Sequence, residues 1–264
     1  MIPMTSSALA AYHAARGDED ACRGCAFFAV TGFLSLPLSV PMLLSAPYAL
    51  LADEDQREWP DAVQRLWATT TTDQFFTTRV EGGEKLAAVK GPAVYVANHR
   101  SWLDIYALFH LRDAPPLKIV AKSEIFRIPL CGWVMSLIGH VPYDRAKGGG
   151  PVLERCAALV ERGVSVFFFP EGTRSKDGVL KQFKPGAFVV AARNGAPVVP
   201  VTIKHTGFLM PPGNEFWEGG RLRTGRDVVL VVHDPVYPRA GGDPKAVVAD
   251  LEVRCRAAIA SALD

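Results

Sequence analysis

The sequence predicts an α/β fold, a central mostly parallel sheet flanked by helices, preceded by an apolar helical segment that anchors the chain to a membrane. Three observations lead there. From about residue 93 onward, short apolar runs alternate with stretches of helical periodicity, the pattern of strands joined by crossover helices. One run, residues 164–169, is apolar but for Ser165, which suits a strand covered on both faces. Residues 25–52 carry no charged side chain, a run longer than a signal-peptide core and long enough to cross a bilayer.

The elements follow in order. Residues 1–24 form a polar, Ala-rich leader. It holds Asp18, Glu19 and Asp20, and acidic residues are unusual in transit peptides. In the apolar segment 25–52, Pro37, Pro41 and Pro47 disfavour one straight helix. That leaves a kinked spanning helix, a bent hairpin in one leaflet, or a buried helix pair. The remaining chain, 53–264, is long enough to bury the core of one large domain. Trp59, Val63, Leu66 and Trp67 recur at helical spacing and predict a helix over 53–78, with Thr69 to Thr72 as its fraying end. Gly82-Gly83 makes a turn. Strands are expected at 93–97, 117–121, 164–169, 198–203 and 228–233. Helices are expected at 103–111, within 128–139, and at 152–162, 186–194 and 244–263; Gly163 and Gly195 follow two of them as C-terminal caps.

Composition narrows the function. A net charge of +2 with 21% charged residues argues against a nucleic-acid binder working by bulk charge. Five scattered cysteines make no disulfide framework and indicate a reducing compartment. The lone Cys22/Cys25 pair lacks the second pair of ligands a structural zinc site needs.

Three polar clusters carry the chemistry. In Asn98-His99-Arg100-Ser101-Trp102-Leu103-Asp104 a histidine precedes an aspartate by five positions. Histidine exchanges protons near neutrality, and a carboxylate at its far nitrogen would fix its tautomer and stabilise the imidazolium. In Phe169-Pro170-Glu171-Gly172-Thr173-Arg174-Ser175 the polar groups leave the end of the buried strand, where open α/β sheets bind ligands. Arg174 offers a planar fork for phosphate, and Gly172 allows close backbone approach. The third cluster holds Lys122 and, after Gly139 and His140, Arg145 as a second phosphate contact. His140 has apolar neighbours and reads as structural. Ser101 lies outside any G-x-S-x-G elbow and is set aside as a nucleophile.

Together these blocks resemble the glycerolipid acyltransferase family, most closely the 1-acylglycerol-3-phosphate (lysophosphatidic acid) acyltransferases. Asn98-His99 through Asp104 matches the family's NHxxxxD block. Phe126 through Arg145, with Pro129 and Gly132, looks like its second block. Phe169 to Ser175 matches FPEGTRS, and Val198-Val199-Pro200-Val201 looks like the fourth. The resemblance covers about residues 59–255. Stretches 66–69, 165–177 and 183–191 look like the plastid and cyanobacterial branch.

The resemblance implies that His99, held by Asp104, takes the proton from the sn-2 hydroxyl of lysophosphatidic acid. The oxygen then attacks the thioester of acyl-CoA or acyl-carrier protein, forming phosphatidic acid. It implies that Glu171, Gly172, Thr173 and Arg174, with Arg145, bind the glycerol phosphate, and that neither metal nor cofactor takes part. Donors near the start of the following helix are expected at the developing oxyanion. The resemblance implies a membrane location, integral or monotopic, facing cytoplasm or stroma, a chloroplast membrane included. Arg16, Arg23 and the basic residues of 118–127 are expected toward anionic head groups. Acylation of glycerol 3-phosphate or another lysolipid, and a non-catalytic lipid-binding role, are the alternatives.

Overall fold

A computed structural model describes residues 17–213, 220–241 and 243–263; most of the leader, including Arg16, lies outside them. The strands are β1 (Thr78–Glu81), β2 (Val94–Ala97), β3 (Leu117–Lys122), β4 (Val141–Tyr143), β5 (Ser165–Phe168), β6 (Val198–Lys204) and β7 (Val228–Val232). Among the described residues they form one sheet in the order β1-β7-β6-β2-β5-β3-β4. Every pairing is parallel except β6 with β7. The helices are α1 (Glu19–Leu44), α2 (Ala46–Leu51), α3 (Glu58–Thr72), α4 (Leu103–Leu108), α5 (Cys131–Ile138), α6 (Gly150–Glu161), α7 (Gly186–Asn194), α8 (Thr206–Leu209) and α9 (Pro244–Ser261).

The apolar strands are apolar because both faces are covered. Side chains alternate across a strand, so Ala93, Tyr95 and Ala97 join Phe167, Val199 and Val201 in the core beneath α1, α3 and α4. Val94, Val96, Val166 and Phe168 point the other way, into the core shared with α6, α7 and α9.

The N-terminal segment is neither one straight rod nor a simple kink. Asp18 caps α1 by accepting from Ala21 N at 3.2 Å, so the helix begins ahead of the uncharged run. It continues through Pro37 and Pro41 and breaks only at Ser45, before Pro47 in the first turn of α2. The chain then reverses, and α3 runs back along α1. Trp67 Nε1 donates to Thr31 O at 3.1 Å, and Arg23 Nη2 donates to Phe75 O at 2.7 Å. Near the bend, Met42 packs with Val63 and Ile138. α1 is long and apolar enough to cross a membrane, yet one side of it lies on α3 and the sheet domain. Its other side leaves Phe33, Leu36, Val40 and Leu44 exposed, beside exposed Trp59 and Leu66 of α3.

Several local expectations are corrected. The helix predicted over 53–78 is shorter, Glu58–Thr72, and position 78 begins a strand. Thr71 and Thr72 are fully buried rather than frayed. Their hydroxyls donate to the carbonyls of Trp67 at 2.8 Å and Ala68 at 3.0 Å, which satisfies them inside the helix. β1 and β4 had no strand signal: both are edge strands of three or four residues with little burial to pattern. Lys118 does not face head groups. It is fully buried in β3, its Nζ donates to Gln56 O, and burial lowers its pKa to about 8. His140 is structural, as expected: Nδ1 accepts from Ile119 N at 3.1 Å and Nε2 pairs with Gln64 Oε1 at 3.1 Å. Burial and the neighbouring Lys118 lower its pKa to about 3.

Candidate active site

The loops that leave β2, β5, β3 and β6 share one edge of the sheet. Val96 lies opposite both Phe168 and Pro200, so the chain leaves neighbouring strands side by side. The loop after β2 is pinned first. Asn98, fully buried, spans to β6: its Nδ2 donates to Ile203 O and its Oδ1 accepts from Ile203 N, each at 2.8 Å. The next residue is thereby held at the sheet edge.

His99 Nδ1 lies 2.8 Å from Asp104 Oδ2. The same oxygen accepts from Arg100 N at 2.7 Å and Ser101 N at 2.8 Å, while Oδ1 accepts from Thr206 Oγ1 at 2.5 Å. Asp104 is fully buried in the first turn of α4. Because the carboxylate accepts all four bonds, Nδ1 of His99 carries the proton and Nε2 keeps its lone pair. The imidazole also stacks on Phe169, with centroids 3.9 Å apart and planes 16° from parallel. Ring, tautomer and tilt are therefore all set before a substrate arrives.

The Ser101 hydroxyl takes no part in this pairing. Its buried hydroxyl donates to Met210 O at 2.7 Å and accepts from Leu103 N at 3.1 Å, opening α4.

Glu171 is turned away from the cavity. One oxygen accepts from His99 N at 2.7 Å and the other from Lys181 N at 3.0 Å, which ties the loop after β5 to the loop after β2. Burial raises its pKa, against the pull of those two N–H donors. Its geometry is that of a positioning residue rather than a phosphate ligand. Lys181 Nζ in turn donates to Arg174 O at 2.9 Å and lies 3.3 Å from Thr173 Oγ1, shaping the turn.

A cavity of about 620 Å³ opens beside His99. Thr173 and Arg174 line it, and so do Lys122, Lys176 and Lys184; among the described residues no carboxylate does. Gly172 adopts φ +71, and a Cβ there would fall 2.8 Å from Lys184 Nζ. The missing side chain is thus the space through which the lysine crosses the turn. The opposite wall is apolar, with Trp102, Ile105, Ile119, Ile125 and Leu153. Arg145, expected as a phosphate contact, is exposed beyond β4 and does not line the cavity. Tyr143 at the end of β4 still lines the cavity, but Arg145 lies two residues on, in an exposed turn. Lys184 was missed because it follows no strand end and belongs to no spaced motif. Thr206 was missed because it reaches Asp104 from a residue 102 positions away.

The arrangement defines a class of site: a histidine fixed by a buried aspartate, beside a cationic pocket and an apolar wall. Residues 77–204 match the family model for Acyltransferase, so the chain carries an acyltransferase-family domain. It is 45% identical over 217 residues to a chloroplastic 1-acyl-sn-glycerol-3-phosphate acyltransferase of Brassica napus, covering 81% of this chain and 61% of that protein. To the chloroplastic enzyme of the same name in Arabidopsis thaliana it is 44% identical, covering 81% of this chain and 59% of that one. The chain thus spans about three-fifths of the length of these relatives. Its fold is that of the crystal structure of PlsC, the 1-acyl-sn-glycerophosphate acyltransferase of Thermotoga maritima. The TM-score is 0.64 over 88% of this chain and 97% of that one, at 24% identity.

Proposed function

We propose that this protein transfers a fatty acyl group from a thioester, acyl-CoA or acyl-carrier protein, to the sn-2 hydroxyl of lysophosphatidic acid, making phosphatidic acid. The observation that carries this reading is the shared cavity. The His99–Asp104 pair opens onto the same space as Arg174, Lys122 and Lys184, and the remaining wall is apolar. A phosphate monoester meets the cations, an acyl chain meets the apolar wall, and a hydroxyl between them meets His99. The names of the two chloroplastic relatives agree with it.

In this mechanism His99 Nε2 takes the hydroxyl proton as the oxygen attacks the thioester carbonyl. Asp104 stabilises the imidazolium that forms. Collapse of the tetrahedral intermediate expels the thiolate, which recovers the proton from His99. The apolar wall favours a lysolipid over glycerol 3-phosphate, since each methylene kept from water contributes about 0.8 kcal/mol. The exposed apolar side of the α1–α3 hairpin would lie in one leaflet, because α1 is paired with α3 and its first turns are packed on the sheet domain. In this reading the enzyme works at a membrane surface, a chloroplast membrane included, with the lysolipid entering from the leaflet.

The test is an acceptor panel. Purified protein in detergent is given acyl-CoA or acyl-carrier protein with lysophosphatidate, glycerol 3-phosphate or lysophosphatidylcholine. Transfer to lysophosphatidate that vanishes in His99→Ala supports the proposal. Preference for another acceptor, or binding without turnover under either donor, refutes it.

A further inference from the structure

A second cavity, about 670 Å³, opens at the same edge of the sheet but over β6, β7 and β1. Arg23, Arg79, Arg223 and Arg226 line it with His205, against one carboxylate among the described residues, Asp227. That carboxylate lies 3.5 Å from Arg79 and so offsets one guanidinium of the four. Arg223 and Arg226 both sit over the ring of Phe208, at 5.6 and 5.1 Å from its centroid. Arg23 has its Nη2 on Phe75 O, while its buried Nε has no hydrogen-bond partner among the described residues.

The loop that carries these charges is fixed. Leu222 N donates to Asp20 O at 2.9 Å, Arg223 N donates to Leu209 O at 2.8 Å, and His205 Nδ1 donates to Asp227 O at 2.7 Å. Its position identifies the anion. Arg23 stands at the start of α1, and the exposed row Ala26, Ala29 and Phe33 begins one turn further on. Phe208, 41% exposed, stands beside the arginines. Guanidinium forks suited to phosphate thus meet apolar surface, as they would at the head-group layer of a bilayer.

We propose that this cavity binds the phosphate of an anionic phospholipid head group and docks the protein on charged bilayers beside its apolar hairpin; the inference rests on the membrane reading above. The protein is co-sedimented with phosphatidylcholine vesicles with and without phosphatidylglycerol. The double variant R223Q/R226Q is expected to bind the anionic vesicles about twenty-fold more weakly, at roughly fivefold per arginine, and the neutral ones within about twofold of the parent. The control R193Q/R239Q, which removes exposed arginines from other faces, should keep the anionic binding. Equal losses in both pairs, or none in either, overturn the proposal. Inorganic phosphate should displace the parent from anionic vesicles more than chloride does at equal ionic strength, because it competes for the same guanidinium forks; no difference between the two salts overturns the assignment of a phosphate site. Loss of binding to an acidic carrier protein with vesicle binding intact assigns the patch to a protein partner instead. Turnover in detergent micelles should be unchanged in R223Q/R226Q, and its collapse counts against the proposal. Absence of turnover in the parent refutes the proposed function and leaves the vesicle result standing.

Discussion

Replacing Asp104 by asparagine separates what its charge does from what its shape does. Asparagine keeps one acceptor oxygen and gains an amide NH₂, so it must choose an orientation. With the oxygen toward His99 it still accepts from His99 Nδ1, Arg100 N and Ser101 N, and the NH₂ meets the Thr206 hydroxyl, which can accept. The flipped orientation would set the NH₂ against two buried backbone N–H groups, at about 1–3 kcal/mol for each bond left unmade. The first orientation therefore wins and the His99 tautomer is preserved. What is lost is the attraction between carboxylate and imidazolium. At an effective dielectric near 20 and a charge separation near 4 Å this is at most about 4 kcal/mol. A loss of about 2–4 kcal/mol lowers kcat roughly 30- to 1000-fold. Steady-state kinetics with lysophosphatidate should show that fall with KM almost unchanged, and thermal unfolding should show a folded protein. Full activity, or a loss equal to that of His99→Ala, would refute the reasoning: the first removes the need for charge, the second means the tautomer was not held.

Other expectations concern the phosphate side and the buried histidine. Arg174→Ala removes a charged contact worth about 1.5–3 kcal/mol, so KM for the acceptor should rise roughly 10- to 100-fold with little change in kcat. Gly172→Ala places a Cβ 2.8 Å from Lys184 Nζ at φ +71. Acceptor KM should rise several-fold and unfolding free energy fall by about 1–2 kcal/mol; unchanged KM would mean that Lys184 does not need that path. His140 stays neutral in the native state down to about pH 3, while the unfolded chain protonates it near its ordinary 6.5. Its contribution is intact above pH 6.5 and is lost as pH falls toward 3. Between pH 6.5 and 5 that is about 2 kcal/mol. Urea unfolding at the two pH values should show this loss in the parent and not in His140→Gln; equal losses in both would assign it to other groups.

Sequence by itself determined whatever depends on neighbouring residues. The alternation of strands and helices, the uncharged run 25–52 and the five-residue step from His99 to Asp104 are local facts, and the backbone realises each of them. The prolines foretold that 25–52 is not one straight helix but not where it breaks: α1 continues through Pro37 and Pro41 and ends at Ser45, before Pro47. The short edge strands β1 and β4 have too few buried side chains to make a pattern, so only pairing with β7 and β3 identifies them. The site followed the same division. His99, Asp104, Thr173 and Arg174 were legible as motif members. That Glu171 grips two backbone N–H groups, that Lys184 crosses Gly172 into the cavity, that Thr206 completes the cage around Asp104 and that Arg145 stands aside were decided by tertiary structure alone. The physical reason is strand order. Placing β2 between β5 and β6, with β4 at the far edge, sets which loops meet above the sheet, and that order is stored in long-range packing rather than in any short window of sequence.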